Sequence, residues 1–143
     1  MFVGSYDLKL DEKGRLILPA KLREEFAGGL YLVKGQEGCV YVYTVQYFND
    51  LIANMDASAL TSAEERSFIR VFMAGSRHEQ LDRQGRVTLP QVHRQYATLE
   101  REVTLLGMRT HLEIWDSAKW TQYEQQAEDK FTNRDGGVIP GIF

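Results

Sequence analysis

The chain has one cysteine, three prolines and three histidines in 143 residues, and each scarcity excludes something. With Cys39 alone, an internal disulfide and a cysteine-based zinc site are ruled out. Apolar runs are short, about five residues at most, as in the stretch around Val71–Ala74. A membrane helix needs about 20 such residues, so no membrane partner is expected. Met1–Asp7 carries neither a basic n-region nor an apolar h-region, so no secretory signal is expected and the reading is cytoplasmic. His78, His93 and His111 show no H-x-x-x-H spacing, and no metal is expected. No G-x-S-x-G elbow or Walker A loop is present, and Gly35-Gln36-Glu37-Gly38 lacks the Lys-Ser/Thr of a phosphate loop. Asp11-Glu12 could form a carboxylate pair. Both sit in a polar turn beside Lys13 and Arg15, which does not raise a carboxylate pKa. Cys39 lies in an alternating strand pattern and reads as a core residue. No catalytic residue, cofactor or small-molecule substrate is therefore assigned, and the chain is not read as an enzyme.

What is present is an ordinary globular composition, 43% apolar and 26% charged, with a net charge of −3. That sum argues mildly against nucleic acid, but the charge is segregated. Lys9–Arg23 holds five basic and two acidic residues, and Arg77–Arg94 four and two. From Glu113 onward there are three basic and six acidic residues. Any one cluster taken alone reads as a solvated face.

The chain also repeats. Residues 10–23, LDEKGRLILPAKLR, align with 81–94, LDRQGRVTLPQVHR, with seven of fourteen positions identical. The identities are Leu10/Leu81, Asp11/Asp82, Gly14/Gly85, Arg15/Arg86, Leu18/Leu89, Pro19/Pro90 and Arg23/Arg94. Further on, Gly35 falls on Gly107, Val42 on Ile114, Tyr43 on Trp115 and Phe48 on Trp120. Two copies are too few for a solenoid and suggest a pseudo-two-fold domain in which each half completes the other's core.

In each unit a strand (Ser5–Leu10, Gly75–Leu81) leads into a hairpin turn (Asp11–Gly14, Asp82–Gly85). Asp suits the turn start as an acceptor of backbone N–H bonds, and Gly14 and Gly85 supply a left-handed residue. Return strands Arg15–Leu18 and Arg86–Leu89 end at Pro19 and Pro90, which open short helices Ala20–Phe26 and Gln91–Ala97. Strand pairs Leu30–Lys34 with Cys39–Tyr43, and Glu102–Leu106 with His111–Trp115, complete the units. A helix over Gln46–Met55 is expected, and Thr61-Ser62-Ala63-Glu64 reads as a capping box for another. That second helix carries Phe68, Ile69, Phe72 and Met73 near a 3.6 period, a set that suits either core packing or assembly. Ser117 is the expected cap of a last helix to about Phe131, followed by a mobile tail.

The aromatics Tyr41, Tyr43, Trp115 and Trp120 could stack bases, but their alternation fits core packing better. For Asp-x-x-Gly-Arg, turn bracing accounts for Asp11, Gly14, Asp82 and Gly85. It does not fully account for Arg15 and Arg86. An exposed ion pair is worth little, whereas arginine matches the O6/N7 edge of guanine and also phosphate. Surface ion pair and groove reader both remain open at this point.

The pattern Leu-Asp-x-x-Gly-Arg-φ-x-Leu-Pro-x-x-φ-Arg resembles the AbrB-type swapped-hairpin DNA-binding unit. Two copies in a chain of this length resemble the MraZ family. Met1-Phe2-x-Gly4, Lys34-Gly35-x-x-Gly38-Cys39, Phe72-Met73-Ala74-Gly75 and Leu112-Glu113-Ile114-Trp115 support the likeness, which covers residues 1 to about 125. It implies an α+β fold, a pseudo-two-fold β-barrel of two AbrB-like units. The units are placed at 5–47 and 76–119, with linking helices at 48–75, a C-terminal helix at 120–131 and a mobile tail at 132–143. It also implies a nucleoid-associated transcriptional regulator of the bacterial division and cell-wall gene cluster. Such a protein would act mostly as a repressor, bind repeated sites on double-stranded DNA upstream of its own gene, and assemble as a homo-oligomeric ring. By motif matching, Arg15 and Arg86 inherit the DNA-contact role, supported by Lys13, Lys9, Arg83 and Lys21. The second copy has His93 for Leu22 and Gln91-Val92 for Ala20-Lys21, so a smaller share is expected of it. An enzyme on a related barrel and an antitoxin-like partner binder are the alternatives.

Overall fold

The computed structural model describes residues 1–56, 62–134 and 136–142. Among these, β1 (Ser5–Lys9) and β2 (Arg15–Ile17) precede α1 (Ala20–Arg23), which a 3-10 turn extends to Phe26. β3 (Leu30–Lys34) and β4 (Val40–Thr44) flank a 3-10 turn at Gln36–Gly38. Then come α2 (Val45–Asp56), α3 (Ala63–Ala74), β5 (Arg77–Glu79), β6 (Arg86–Thr88) and α4 (Gln91–Tyr96). β7 (Glu102–Gly107), β8 (Leu112–Asp116) and α5 (Ser117–Asn133) close the chain.

Six strands form one antiparallel sheet in the order β1-β7-β8-β4-β3-β5, and β2 and β6 form a separate two-stranded ribbon. Exchanging each strand for its repeat partner reverses the six-strand order and leaves it unchanged, as the internal repeat requires. Each unit donates its first strand to the other: β1 pairs with β7, and β5 with β3.

This corrects two expectations. First, the turns Asp11–Gly14 and Asp82–Gly85 do not lead into local hairpins. Asp11 N–H donates to Arg15 O and Asp82 N–H to Arg86 O, and the flanking strands then diverge to partners in the opposite unit. Second, the hydrogen bonding does not close a barrel. β1 and β5 are sheet edges, and the three-residue strands of the ribbon pair only with each other. Pro19 and Pro90 follow within two residues of those strands. Without an N–H they cannot extend a ladder, and the chain turns into α1 and α4.

Alternation along the strands splits the apolar residues between the sheet's two faces. Leu30, Leu32, Val40, Val42, Leu105 and Ile114 meet Leu16 and Val87 of the ribbon in the main core, which Leu18, Leu89, Leu22 and Phe26 extend. On the other face Val33 and Tyr43 pack with Phe48 of α2 and Phe72 of α3. Cys39, Leu106 and Trp115 form a third cluster, against which Tyr41 and Trp120 pack. Cys39 is fully buried, and burial pushes its thiol pKa well up.

Of the apolar set on α3, Phe72 is core, Ile69 is half-buried, and Phe68 and Met73 are exposed. Ser62 caps α3, its hydroxyl accepting from Glu65 N–H at 3.0 Å. Thr61, the first residue of the expected capping box, lies outside the described residues. The cap of α5 is Asp116, not Ser117: its carboxylate accepts from Lys119 N–H at 3.3 Å, while the Ser117 hydroxyl bonds Thr104 at 2.9 Å. β8 runs through Asp116, so that is the residue left extended at the helix entrance. No helix of the described residues is long and apolar enough to cross a membrane.

Candidate nucleic-acid interface

The β2–β6 ribbon has two unlike faces. In its register Arg15 lies opposite Thr88, Leu16 opposite Val87 and Ile17 opposite Arg86. Leu16 and Val87 point inward and are buried. By alternation Arg15, Ile17, Arg86 and Thr88 share the outer face, where Ile17 is 51% exposed. Arg15 and Arg86 sit on a diagonal of this quartet, with Cα atoms about 7–8 Å apart for such neighbours.

Each arginine is fixed by its own turn. Asp11 Oδ1 accepts from the backbone N–H of Lys13 (2.9 Å) and of Arg15 (2.8 Å), and Oδ2 accepts from Arg15 Nε at 2.6 Å. Asp82 does the same with Gln84 N–H, Arg86 N–H and Arg86 Nε, the last at 2.7 Å. These bonds, the backbone N–H of Arg15 or Arg86 first among them, hold both carboxyls below the usual carboxylate range. Only Nε is used, so among the described residues the terminal nitrogens of Arg15 and Arg86 have no protein partner. A guanidinium already fixed in direction loses less freedom on forming a bidentate contact.

The turns are held from below by the opposite unit. Gly14 has φ 74° and Gly85 φ 78°, the left-handed region. A Cβ on Gly14 would lie 2.7 Å from Arg94 Nε, and a Cβ on Gly85 would lie 2.6 Å from Arg23 Cδ. Arg23 Nε donates to Leu18 O at 2.8 Å and Arg94 Nε to Leu89 O at 3.0 Å. Leu18 N–H donates to Gly85 O, and Leu89 N–H to Gly14 O. Each glycine thus allows an arginine of the other unit to lie against the turn. This role of Arg23 and Arg94 went unread in the sequence, although both stand out as an identical pair in the repeat. Ile17 and Thr88 were also missed, because three-residue strands show too little alternation to assign a face.

Other candidates fall in different places. Lys13 and Arg83 are exposed at the turn tips, two residues before Arg15 and three before Arg86. The first tip pairs Lys13 with Glu12, whereas the second carries Arg83 beside uncharged Gln84, so the second tip is the more positive. Lys9 ends β1 opposite Glu102 and lines a cleft with Asp7, Trp120 and Glu124. Lys21 lies on α1 with Nζ 5.0 Å from the Tyr6 ring centroid. Neither lysine is on the ribbon. Arg101 lines a small cleft beside the first turn together with Arg94. Among the described residues no group of three His, Cys, Asp or Glu is placed to hold a metal ion.

Comparison with known proteins agrees with the two-unit layout. A family model described as "MraZ protein, putative antitoxin-like" matches the chain twice, over residues 1–71 and 72–137. A protein of Micrococcus luteus named Transcriptional regulator MraZ is 49% identical over 143 residues, all of both chains. Proteins of the same name are 46% identical in Kocuria rhizophila, over all of both chains, and 44% identical in Salinispora tropica, over 99% of this chain and all of the other.

Proposed function

The chain belongs to the MraZ family, and from that premise we propose that it is a transcriptional regulator that reads double-stranded DNA with the outer face of its β2–β6 ribbon. The observation that carries this reading is the diagonal pair Arg15 and Arg86, each pinned through Nε with its terminal nitrogens left for a ligand. A two-stranded ribbon fits a major groove about 12 Å wide. There the end of each guanidinium matches guanine O6 and N7, and Ile17 offers an apolar contact to a thymine methyl. Lys13 and Arg83 at the two tips suit the flanking phosphates. Lys9 and Lys21, away from the ribbon, have weaker roles in this arrangement.

The net charge of −3 gives one protomer little general attraction for DNA, because that term scales with the phosphates neutralised. Useful affinity then calls for a homo-oligomer, a ring in this reading, with several ribbons engaging repeated sites. Linked binding multiplies modest affinities by roughly 10²–10⁴ where the spacing allows. In the full proposal the protein acts in the cytoplasm on nucleoid DNA. It represses the division and cell-wall gene cluster through repeats upstream of its own gene, and it needs no cofactor.

The test is a titration of DNA from upstream of the gene with wild type and Arg15→Ala. The variant should lose about 1–3 kcal/mol per contact while its circular dichroism stays unchanged. Wild-type affinity in Arg15→Ala would refute the assignment.

A further inference from the structure

Among the described residues, two of the apolar surfaces outside the ribbon suit one another. One is a groove of about 620 Å³ between α3 and the second face of the sheet, lined by Tyr41, Tyr43, Leu51, Phe68, Val71 and Tyr96. Its volume is that of a site for a few apolar side chains. Phe68 and Val71 are 53% and 55% exposed on its wall, apolar side chains that a partner could cover. The other is the segment after α5, where Val138, Ile139 and Ile142 are all exposed.

We propose that the Val138–Ile142 segment of one copy of this chain seats in that groove of a second copy. This rests on the homo-oligomeric part of the reading above and supplies it with a contact. α5 starts beside the groove: Lys119 Nζ donates to Gly38 O at 3.1 Å, and Gln36 of the same 3-10 turn lines the groove. From Thr121 to Arg134 every residue of the helix and its end is exposed, so the helix projects into solvent. At 1.5 Å per residue it carries Asn133 about 20 Å from Lys119. Val138, Ile139 and Ile142 stand exposed there, and none of residues 136–142 lines the groove of its own chain. Both surfaces are thus left open for a second copy.

The segment is also suited to docking. Pro140 fixes one φ in advance, which reduces the freedom lost on binding. Gly136 and Gly137 just before it let the chain change direction at the end of the helix. Each protomer then offers one segment and one groove. Such a head-to-tail contact closes into a ring when its rotation allows.

Full-length Ser67→Cys and Gly137→Cys variants, one thiol at the groove rim and one beside the segment, are mixed and oxidised. The buried Cys39 contributes little background. A Ser5→Cys and Gly137→Cys mixture is the control. The expected result is a cross-linked product joining the two variants, absent from the control and lost when Ile139→Asp is added to the Gly137→Cys chain. Light scattering of the wild-type protein runs in parallel. An oligomer without the cross-link overturns the docking and leaves assembly standing, whereas a monomer overturns both. Homodimers of Ser67→Cys alone would place α3 against α3. A closed loop within a single chain carrying both cysteines would place the segment in its own groove. Either result overturns the proposal.

Discussion

Replacing Gly85 with alanine isolates the contact between the second turn and the opposite unit. Gly85 has φ 78°, and the left-handed region costs an L-residue about 1–2 kcal/mol. The new Cβ would also lie 2.6 Å from Arg23 Cδ and Cζ. Arg23 can move aside only by giving up its 2.8 Å bond from Nε to Leu18 O. A hydrogen bond from a charged donor contributes about 1.5–3 kcal/mol, and the half-buried setting points to the lower half of that range. The expected loss is about 3 kcal/mol, a large share of a typical 5–15 kcal/mol. Gly4→Ala is the control for backbone strain, because Gly4 has φ 86° and a Cβ added there would meet nothing within 4 Å. It should lose only about 1–2 kcal/mol. In the double variant Arg23→Ala/Gly85→Ala the bond to Leu18 is lost once rather than twice, so the combined cost should fall about 1.5 kcal/mol short of the sum. Urea unfolding at one fixed protein concentration measures the wild type, Gly85→Ala, Gly4→Ala, Arg23→Ala and the double variant, since assembly makes stability concentration-dependent. If the two costs add to within about 0.5 kcal/mol, or if Gly85→Ala loses no more than Gly4→Ala, Arg23 does not brace the turn.

Arg86→Ala should weaken binding to the upstream DNA less than Arg15→Ala, and a titration of both against wild type checks the order. Equal or reversed losses would mean that the more positive second tip, with Arg83, outweighs the less basic second unit. Binding should be much tighter on a probe with several sites than on one with a single site; equal affinity for both would remove the need for assembly. His93 is fully buried with Nε2 2.7 Å from Gly75 O, and burial first, then the nearby Arg77 and Lys34, lowers its pKa. The unfolded chain therefore takes up the proton at higher pH than the folded one. Stability should hold above about pH 6.5 and fall as pH drops below it. His93→Leu, the residue type at the matching Leu22, should flatten that slope, and unfolding curves across the range compare the two proteins. A slope of the same size in His93→Leu would assign it to other groups. Asp11 and Asp82, with lowered pKa values, act in a separate window below the ordinary carboxylate range.

The repeat made the local structure legible because near-identical segments meet the same local constraints: Pro19 and Pro90 both open helices, and Gly14 and Gly85 both take positive φ. Leu30–Lys34 and Val40–Thr44 were legible as strands, and their near-continuous apolar runs suit a sheet covered on both faces. Partner choice was less legible. Leu16 needs an apolar neighbour, and either the chain's own first strand or β6 would offer one, so three residues do not select between them. The cap of α5 depended on where β8 ends, because Asp116 and Ser117 are both good cap residues. Charge clustered along the chain also failed to stay clustered in space: β1 carries Lys9 toward Glu102, and α1 turns Lys21 onto Tyr6, leaving the two arginines on the ribbon. The exchange of strands explains why those arginines keep a fixed relation. β1 is completed by β7, β5 by β3, and each turn glycine by an arginine of the other unit. Half of the chain would leave β2 without its partner and the main core open on one side. The two reading groups are therefore set by a shared core, and their diagonal spacing changes only if that core does.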